Sequence, residues 1–571
     1  MKKSHDSVFT IGIGGAAGDG IRESGATLGA ILTELGYESC LSFTYPSLIR
    51  GGHNFVRISF SKDKVYSDHT TLDALIALNE ESIVLHRKEM AENAVVFADS
   101  FEQSDIDILG KNAVVIPMAE TIKSQNFSPI TRNSMAIGAL CYLIDLDYNL
   151  MQDVLAKVFK NKQADVNTKL ADMGYEIMKK LDFRHAKKIE PSNSKKEFID
   201  GNSAVGKGLQ VAGLDFYLGY PMTPVTSLLQ YLAAQQKDTK VKVIQPESEL
   251  PVINMALGIS YAGKRVAVGS ATGGFALMQE AFSFAGIAEL PLVAVVSQRQ
   301  GPATGLPTYS SQTDLRFVIH AGHGEFPKIV IAPGDGEEAF YIGALALNLA
   351  WQYQVPTIIL LDKIISEHSA TCLLDPKDIK IENGKVATNT DDKYGRYEVT
   401  EDGISPIAFP GTAGTVVKIT SYEHDSSGIT VDEPGPTEAM LKKRFNKGET
   451  MKMSLDKYET VKVYGNKESK NVIVFWGSTK GAVLEAYERY LDKSVKLFQV
   501  LWMEPFPTKR VTEELSGAEK IINVECNHDA QLGGLIREKT GIVATHNILK
   551  YDARPFDPVE LAKEISDILK K

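Results

Sequence analysis

Two glutamates at the start of a predicted helix are the first candidates for proton chemistry. In the segment QPESELPVINMALGISYAG, Glu247 and Glu249 directly precede apolar residues that recur at helical spacing. Acidic side chains interact favourably with the N-terminal end of the helix dipole, which is a purely structural explanation. A glutamate that enters an apolar pocket instead has a raised pKa and can exchange a proton with a ligand nitrogen.

A threonine between two prolines is the second candidate. Thr223 lies between Pro221 and Pro224 in the run LGYPMTPVTSLL, directly before an apolar stretch that predicts a helix. Because prolines restrict the backbone, we expect the Thr223 hydroxyl to hold one orientation at the helix start. An ordinary helix N-cap is the simpler interpretation of the same pattern.

An arginine that follows a predicted strand is a candidate for carboxylate recognition. Arg299 comes after the apolar run PLVAVVS, and Gly301, Pro302 and Gly305 give the loop beside it a defined shape. Open α/β sheets bind ligands at the carboxyl ends of their strands. A lone guanidinium at such a place favours the binding of a carboxylate.

Two further candidates for anion binding lie near the N-terminus. A cluster of glycines lies at a predicted strand-to-helix turn: Gly12, Gly14, Gly15, Gly18 and Gly20. Because glycines have no side chains and the turn has free N–H groups, it can admit a phosphate. Ala17 interrupts the GxGxxG fingerprint, so the residues alone favour a tight structural turn over an anion site. In TYPSLIRGGHN, Arg50 lies beside two glycines and near His53, where a phosphate contact and a solvated turn explain the pattern equally well.

Composition bounds the class of protein. The chain has 571 residues, 43% hydrophobic and 23% charged, as expected for roughly three or four folded α/β domains. Its net charge of −10 and scattered basic residues disfavour nucleic acid as the main ligand. Since no apolar stretch approaches about 18 residues, we expect a cytoplasmic protein without a membrane span. The four cysteines form no CxxC pair, so any zinc or Fe–S centre is expected on a partner chain.

Alternating strand and helix patterns predict an α/β fold with three parallel-sheet domains and an irregular connector. The charged stretch RHAKKIEPSNSKKEF at 184–198 marks the first boundary. The predicted domains cover residues 1–190, 195–368 and 469–571. Residues 369–468 are rich in Asp, Lys, Gly, Thr and Pro, which predicts the connector.

A series of segments resembles the α subunits of 2-oxoacid:ferredoxin oxidoreductases. In chain order they are GYPMTP, ESELPVINMALGISYAG, GGFALMQEA, ELPLVAVVSQRQGPATGLPT, HGE, FWGSTKGA and YDARPFDP. The N-terminal segments GIGGAAGDG and YPSLIRGG resemble the γ subunit, which many members carry fused in front of α. The resemblance covers nearly the whole chain. It implies a γ-like domain, a pyrimidine-binding domain for thiamine pyrophosphate (TPP) and a transketolase C-terminal-like domain.

The resemblance also implies roles for individual residues. Glu249 matches the glutamate that hydrogen-bonds the aminopyrimidine of TPP. Thr223 matches the threonine of the family's YPITP motif, which contacts substrate and cofactor, and Arg299 matches the arginine thought to clamp the substrate carboxylate. Tyr220 and Pro221 are placed on the TPP side of the same pocket.

Two departures from the family pattern touch this pocket: Met222 replaces the usual isoleucine, and Gly273 stands where proline is common. Neither removes a reacting group. The tripeptide GDG, which binds metal and diphosphate in TPP enzymes when an asparagine follows at the right spacing, occurs at 18–20 and 334–336. The next asparagines, Asn54 and Asn348, lie at the wrong spacing, so we expect neither GDG to be a diphosphate site.

The γ-like domain of related enzymes is implicated in holding coenzyme A. The resemblance therefore implies that Gly14, Gly15, Gly18 and Arg50 contact coenzyme A. The expected reaction is TPP-dependent oxidative decarboxylation of a 2-oxoacid to acyl-CoA and CO₂ with reduction of ferredoxin, or its reverse in carbon fixation. A β subunit is expected to carry the TPP diphosphate site, Mg²⁺ and a [4Fe–4S] cluster, in an (αβ)₂ assembly of heterodimers.

The substrate and one alternative class stay open. 2-Oxoglutarate is favoured because the γ–α fusion and the motif order look most like that branch. Pyruvate, a branched-chain 2-oxoacid and indolepyruvate are the alternatives, and 2-oxoglutarate would need a second basic residue that the sequence does not place. An alternative of another class is a non-catalytic module that binds coenzyme A or a nucleotide through the glycine cluster.

Overall fold

The computed structural model describes residues 8–46, 52–99, 112–159, 164–185, 187–188, 190–191, 196–388 and 394–570. Three β-sheets with flanking helices fill this part of the chain, which confirms the α/β fold class. Among these residues, no helix is long and apolar enough to cross a membrane.

The first sheet is built mainly from the N-terminal third of the chain. Its strands are β1 (Phe9–Ala16), β2 (Glu38–Thr44), β3 (His53–Ser61), β4 (Leu72–Ala77), β5 (Met90–Ala98), β6 (Ala113–Val115), β7 (Glu197–Asp200) and β14 (Ser369–Cys372). They lie in the order β6-β5-β4-β1-β3-β2-β14-β7. Two of these strands, β7 and β14, therefore come from outside the segment that was predicted to form this domain.

The expectation of an all-parallel sheet is wrong for half of this sheet. Strands β1, β4, β5 and β6 run parallel, whereas β3, β2, β14 and β7 pair antiparallel. A parallel pair needs a crossover of about a dozen residues or more, and the link between β2 and β3 is shorter than that. Local chain length therefore explains the antiparallel pairing of β2 with β3.

The helices that the described residues place beside the first sheet are α1 (Ile21–Glu34), α2 (Glu80–His86), α3 (Met118–Gln125), α4 (Asn133–Leu143), α5 (Tyr148–Val158) and α6 (Ala164–Leu181). Helix α4 is buried along its whole length. It packs closely on α6, because a Cβ at Gly138 would lie 1.8 Å from the Ala171 carbonyl oxygen and one at Gly174 would lie 1.9 Å from the Met135 carbonyl oxygen. These two glycines let the helices approach.

The second sheet holds the central part of the chain. Its strands are β8 (Phe216–Gly219), β9 (Lys242–Ile244), β10 (Val266–Ala271), β11 (Leu292–Gln298), β12 (Ile329–Ile331), β13 (Pro356–Asp362) and β18 (Trp502–Glu504), in the order β18-β12-β13-β11-β10-β8-β9. All pair parallel except β18. The three strands β10, β11 and β13 are buried on both faces, as their near-continuous apolar sequences predict.

The helices around this sheet are α7 (Gly201–Val211), α8 (Thr226–Gln235), α9 (Glu249–Tyr261), α10 (Thr272–Leu277), α11 (Gln279–Ile287), α12 (Leu315–Ile319), α13 (Gly336–Tyr353) and α14 (Lys363–Glu367). Helices α7 and α13 cover one face of the sheet, and α9, α10 and α11 pack into the core on the other.

The segment predicted as an irregular connector contains regular structure. Helix α15 (Pro434–Met453) and strand β15 (Val461–Gly465) lie within it, whereas the described residues between β14 and α15 form only isolated bridges. Helix α15 lacks an apolar stripe because its inward face carries Lys443 and Lys447, both buried against the carboxylate of Glu289. Buried ion pairs replace the apolar signal, so the pattern did not predict the helix.

The third sheet combines β15 with β16 (Asn471–Phe475), β17 (Lys496–Val500), β19 (Lys520–Glu525) and β20 (His546–Leu549), in the order β15-β17-β16-β19-β20. Its helices are α16 (Thr479–Arg489), α17 (Thr508–Leu515), α18 (Gln531–Thr540) and α19 (Pro558–Lys570). One hydrophobic core joins this sheet to the second, since Val268 and Val296 belong to the same cluster as Val474 and Trp476. The domain boundaries stay a prediction, and β7, β14 and β18 cross them.

Candidate functional site

The carboxyl edge of the second sheet brings the sequence-predicted residues together. Strands β8, β10 and β11 are parallel neighbours, with Gly219 opposite Gly269 and Ala271 opposite Ser297. Thr223 follows β8, and Arg299 follows β11. The loops after these strands therefore open at the same edge, where α/β sheets bind their ligands.

Glu249 is the first residue of α9 and is buried, with 3% of its surface exposed. Ser270, at the end of β10, donates a hydrogen bond from Oγ to Glu249 Oε1 over 3.3 Å. Glu247, the other candidate glutamate, is exposed and lies outside the site. Of the two acids, Glu249 is the one held inside the protein next to the strand ends.

Two glycines stand at the start of α10, and one of them leaves room for this carboxylate. A Cβ at Gly274 would lie 2.3 Å from Glu249 Oε1 and 2.2 Å from Ser270 Oγ, so position 274 must be glycine for the glutamate to sit as it does. A Cβ at Gly273 would meet no heavy atom within 4 Å. Gly273, where the family commonly has proline, is therefore an exposed position with open space around it.

Arg299 and Thr223 are joined directly. Arg299 Nη1 donates a hydrogen bond to the Thr223 carbonyl oxygen over 2.7 Å, and the Thr223–Pro224 peptide is cis. Both side chains are half-buried, and burial lowers the pKa of the Arg299 guanidinium from its ordinary value. Among the described residues, the Thr223 carbonyl oxygen is the hydrogen-bond partner found for the Arg299 side chain. The other N–H groups of the guanidinium can therefore bind an anion.

The N-cap interpretation of Thr223 is wrong. Helix α8 begins at Thr226, and Val225 occupies the cap position without a side-chain hydrogen bond. The cis peptide to Pro224 places Thr223 in the loop before the helix. Met222, one residue earlier, lies 3.9 Å from the Ser270 hydroxyl through its Sδ, so this loop contacts the same serine as Glu249.

Tyr220 and Pro221 lie at the outer rim of the pocket. Tyr220 is 38% exposed and Pro221 is also exposed. They directly follow β8, on the same edge as Thr223. Their assignment to the TPP side stays a prediction.

The glycine cluster divides into packed and open positions. Gly14 and Gly15 lie buried in β1 opposite Phe55 and Asn54, and a Cβ at Gly14 would lie 2.6 Å from Ser82 Oγ. Gly18 is exposed, has a φ of 98° and has open space around it. Arg50 lies outside the described residues. Close packing thus explains Gly14 and Gly15, and Gly18 is the position accessible to a ligand.

Both GDG tripeptides have structural explanations. Asp19 accepts a hydrogen bond from the Ala16 amide at 2.8 Å and pairs with Arg132 at 2.7 Å. Asp335 caps α13 by accepting from the Glu338 amide at 2.8 Å and pairs with Lys480 at 2.6 Å. Among the described residues, no group of three or more His, Cys, Asp or Glu side chains is arranged to hold a metal ion.

Sequence reasoning missed Ser270 and Gly274. Both lie in the run SATGG, which was noted only as a departure from the family pattern. Their contact with Glu249 depends on how β10, α9 and α10 pack together, and no local pattern reports that distance. The sequence signal that could have pointed to this contact is a small residue, Ser270, near a strand end, with Gly273 and Gly274 soon after it.

Comparisons with known proteins identify the family. The family model described as "Pyruvate flavodoxin/ferredoxin oxidoreductase, thiamine diP-bdg" matches residues 207–442, and "Pyruvate ferredoxin/flavodoxin oxidoreductase" matches residues 10–177. The 2-oxoacid:ferredoxin oxidoreductase subunit alpha of Saccharolobus solfataricus is 33% identical over 98% of this chain and 97% of its own length. This chain belongs to the 2-oxoacid:ferredoxin oxidoreductase α-subunit family.

Two other relatives of the 2-oxoacid:ferredoxin oxidoreductases carry a substrate in their names. The solved structure of 2-oxoglutarate:ferredoxin oxidoreductase from Magnetococcus marinus, with 2-oxoglutarate, coenzyme A and succinyl-CoA bound, is 32% identical with a TM-score of 0.88 and covers 98% of this chain and 99% of its own. The 2-oxoglutarate synthase subunit KorA of Methanocaldococcus jannaschii is 30% identical over 58% of this chain and 89% of its own length. These matches confirm the enzyme class that the motifs predicted.

Proposed function

We propose that this α subunit, together with a β subunit, converts 2-oxoglutarate and coenzyme A to an acyl-CoA and CO₂ while reducing ferredoxin, and that it also supports the reverse reaction. The observation that carries the proposal is the buried carboxylate of Glu249, held by Ser270 and bordered by Gly274 at the carboxyl edge of the second sheet. A carboxylate enclosed in this way suits a proton-sharing contact with a ring nitrogen.

The residues present fit thiamine pyrophosphate. When bound, this cofactor supplies the electron sink that decarboxylation of a 2-oxoacid requires. Glu249 would hold a proton at its carboxyl group for the aminopyrimidine ring, and Ser270 fixes the orientation of Glu249 Oε1 through their hydrogen bond. The absence of a side chain at Gly274 is what lets Glu249 take this position.

Arg299 and Thr223 would hold the substrate. The guanidinium of Arg299 uses one N–H on the Thr223 carbonyl oxygen, so its remaining N–H groups can bind the carboxylate of the 2-oxoacid. Because the same contact fixes the Thr223 backbone, the position of the threonine hydroxyl is coupled to that of the arginine. The pair therefore orients the keto carbon relative to the cofactor side of the pocket.

A β subunit is the proposed partner at this site. Leu250 and Met255 on α9 and Leu277 on α10 are 55%, 42% and 53% exposed, and Tyr220 adds a further exposed aromatic ring. A cluster of large apolar side chains next to a binding pocket is typical of a surface covered by another protein. We propose that the partner brings Mg²⁺, the diphosphate site and a [4Fe–4S] cluster, and that the assembly is (αβ)₂ and cytoplasmic.

Coenzyme A is proposed to contact the first domain. The exposed, unobstructed backbone at Gly18 supports a contact there, whereas Gly14 and Gly15 would act from inside β1 by keeping the turn narrow. Arg50 is proposed as a further contact on the basis of sequence alone. The coenzyme A in the Magnetococcus marinus structure supports a thioester-forming activity in this family.

Purified αβ complex tests the proposal. Reduction of a viologen dye is measured with 2-oxoglutarate, pyruvate, a branched-chain 2-oxoacid and indolepyruvate, each with coenzyme A. We expect the highest kcat/KM for 2-oxoglutarate. A higher kcat/KM for any of the other three would contradict the substrate assignment, and no activity with any 2-oxoacid would contradict the function itself.

A further inference from the structure

An open cleft of about 410 Å³ lies where the first sheet, the second sheet and the C-terminal segment meet. His53 and Arg57 line it from β3, Thr308 and Ser310 from the loop that follows Arg299, Lys363 from the start of α14, and Arg554 from the segment after β20. Lys363 directly follows β13, which pairs with β11. The cleft therefore continues the same sheet edge that holds Thr223 and Arg299.

Two residues that line this cleft carry buried hydroxyls without a partner among the described residues. Thr308 and Ser310 are each 6% exposed, and neither Thr308 Oγ1 nor Ser310 Oγ has a hydrogen-bond partner in the described part of the chain. The segment is held in place because the Gln300 amide donates to the Tyr309 carbonyl oxygen at 3.3 Å. Leaving a buried hydroxyl unpaired costs about 1–3 kcal/mol, so such groups are kept where something binds them.

A pair of imidazoles presents one more unpaired atom. His86 Nδ1 lies 2.8 Å from Glu89 Oε2, and His53 Nε2 lies 2.9 Å from His86 Nε2. A carboxylate only accepts, so His86 donates from Nδ1 to Glu89. His53 Nδ1 is buried and has no partner among the described residues.

The charges in the cleft favour an anion. Both of its carboxylates are engaged: Asp68 by Ser42 and Arg57, and Glu89 by His86 and Arg57. Arg57 Nε, in contrast, is buried and unpaired.

Two further cations face the same space. Arg554 lies over the Tyr309 ring at 3.9 Å and is exposed, and the buried ammonium of Lys363 donates to the Phe43 carbonyl oxygen at 2.6 Å. Lys363 also lies 3.5 Å from Glu367, so Arg554 is the cation without a carboxylate partner in the cleft. The described residues of the cleft therefore offer an anion three unpaired hydrogen-bond donors: the two hydroxyls and the Arg57 Nε–H.

We propose that this cleft is an oxyanion subsite in which Ser310, Thr308, the Arg57 Nε–H and Arg554 bind a carboxylate or phosphate group of a reactant. The inference rests on the proposed function, since two reactants supply such a group: 2-oxoglutarate through its second carboxylate, and coenzyme A through its phosphates. The subsite would also provide the second basic residue that the sequence did not place, with Arg554 in that role.

Equilibrium binding to the αβ complex tests the subsite. Titration calorimetry measures the Kd of 2-oxoglutarate and, separately, of coenzyme A for the wild type, Ser310→Ala and Arg554→Ala. We expect the Kd of one ligand to rise about tenfold for each lost contact, the scale of one hydrogen bond. A rise for 2-oxoglutarate assigns the second carboxylate, and a rise for coenzyme A assigns a phosphate.

Controls separate this result from misfolding and from failure of the proposed function. Thr512→Val removes a hydroxyl that already bonds within α17, and we expect it to leave both Kd values unchanged. Thermal unfolding confirms that each variant is folded, and Arg554, being exposed, can be replaced without disturbing the core. If neither Kd changes in folded Ser310→Ala and Arg554→Ala, the subsite is overturned. The coenzyme A titration stays decisive even if 2-oxoglutarate proves not to be the substrate.

Discussion

Gly274 and Glu249 approach so closely that a Cβ at position 274 would lie 2.3 Å from Glu249 Oε1. The residues are distant in sequence, and one begins α9 while the other lies in α10. The Glu249 carboxylate can occupy this position only because residue 274 has no side chain.

The first prediction concerns this contact. Gly274→Ala should abolish 2-oxoacid-dependent dye reduction, because the added methyl group must displace either the carboxylate or the Ser270 hydroxyl. Gly435→Ala, at the exposed start of α15, is the matched control: its Cβ meets nothing within 4 Å, so the fold and the activity should be unchanged. Full activity in a folded Gly274→Ala enzyme would show that catalysis does not depend on this position of the Glu249 carboxylate.

The second prediction tests the carboxylate itself. Glu249→Gln keeps the shape but cannot exchange a proton, and we expect kcat to fall by roughly 10²–10⁴-fold, the usual contribution of acid–base catalysis. Circular dichroism and the melting temperature should match the wild type. Glu247→Gln, on an exposed neighbour, should retain normal kcat. Normal turnover in Glu249→Gln would remove this residue from the mechanism.

The third prediction separates binding from chemistry at Arg299. Arg299→Ala should chiefly raise the KM for the 2-oxoacid, by an amount that corresponds to about 2–4 kcal/mol. Since the guanidinium also holds the Thr223 carbonyl oxygen, Arg299→Lys should recover only part of the loss. Arg510→Ala on the surface of α17 serves as the control. An unchanged KM would place the substrate carboxylate elsewhere.

The fourth prediction concerns stability. Glu289 is buried with Lys443 and Lys447, and Glu289→Gln leaves two buried ammonium groups without their counter-charge. We expect a loss of about 3–5 kcal/mol in the free energy of unfolding, seen as a lower melting temperature. Glu438→Gln, which breaks an exposed pair with Lys442, should leave the melting temperature nearly unchanged.

The effect of Glu289 should depend on pH in a stated direction. Burial alone would raise the pKa of this carboxyl, but Lys443 and Lys447 reverse the effect and hold the pKa well below its ordinary value. A carboxyl with a lowered folded-state pKa stabilises the protein above its unfolded pKa of about 4.3 and loses that contribution as the pH falls. Because burial lowers the pKa of Lys447 to about 7, the difference in melting temperature between wild type and Glu289→Gln should be largest between about pH 5 and 7 and should narrow in acid. A gap that widens in acid would contradict this assignment.

The sequence predicted those parts of the fold that local pattern controls. Apolar runs such as PLVAVVS became the buried strand β11, and Arg299 stands after it as expected. Pairings between distant segments could not be predicted this way: the single run KLFQVLWM divides into β17 of the third sheet and β18 of the second. The same limit hid the contact between Ser270 and Glu249, since sequence spacing does not report which strand end meets which helix start.

The strands β7 and β14 complete the edge of the first sheet although they belong to the following part of the chain. If the gene were divided between the two parts, the α fragment would keep Glu197–Asp200 and Ser369–Cys372 as a ready-made hairpin-like ribbon. The γ fragment would expose β2 as an open strand edge, and the two products would have to rejoin by strand addition. When the two parts are fused, the pairing of β14 with β2 takes place within one chain as it folds. Separate subunits would have to form the same pairing by docking.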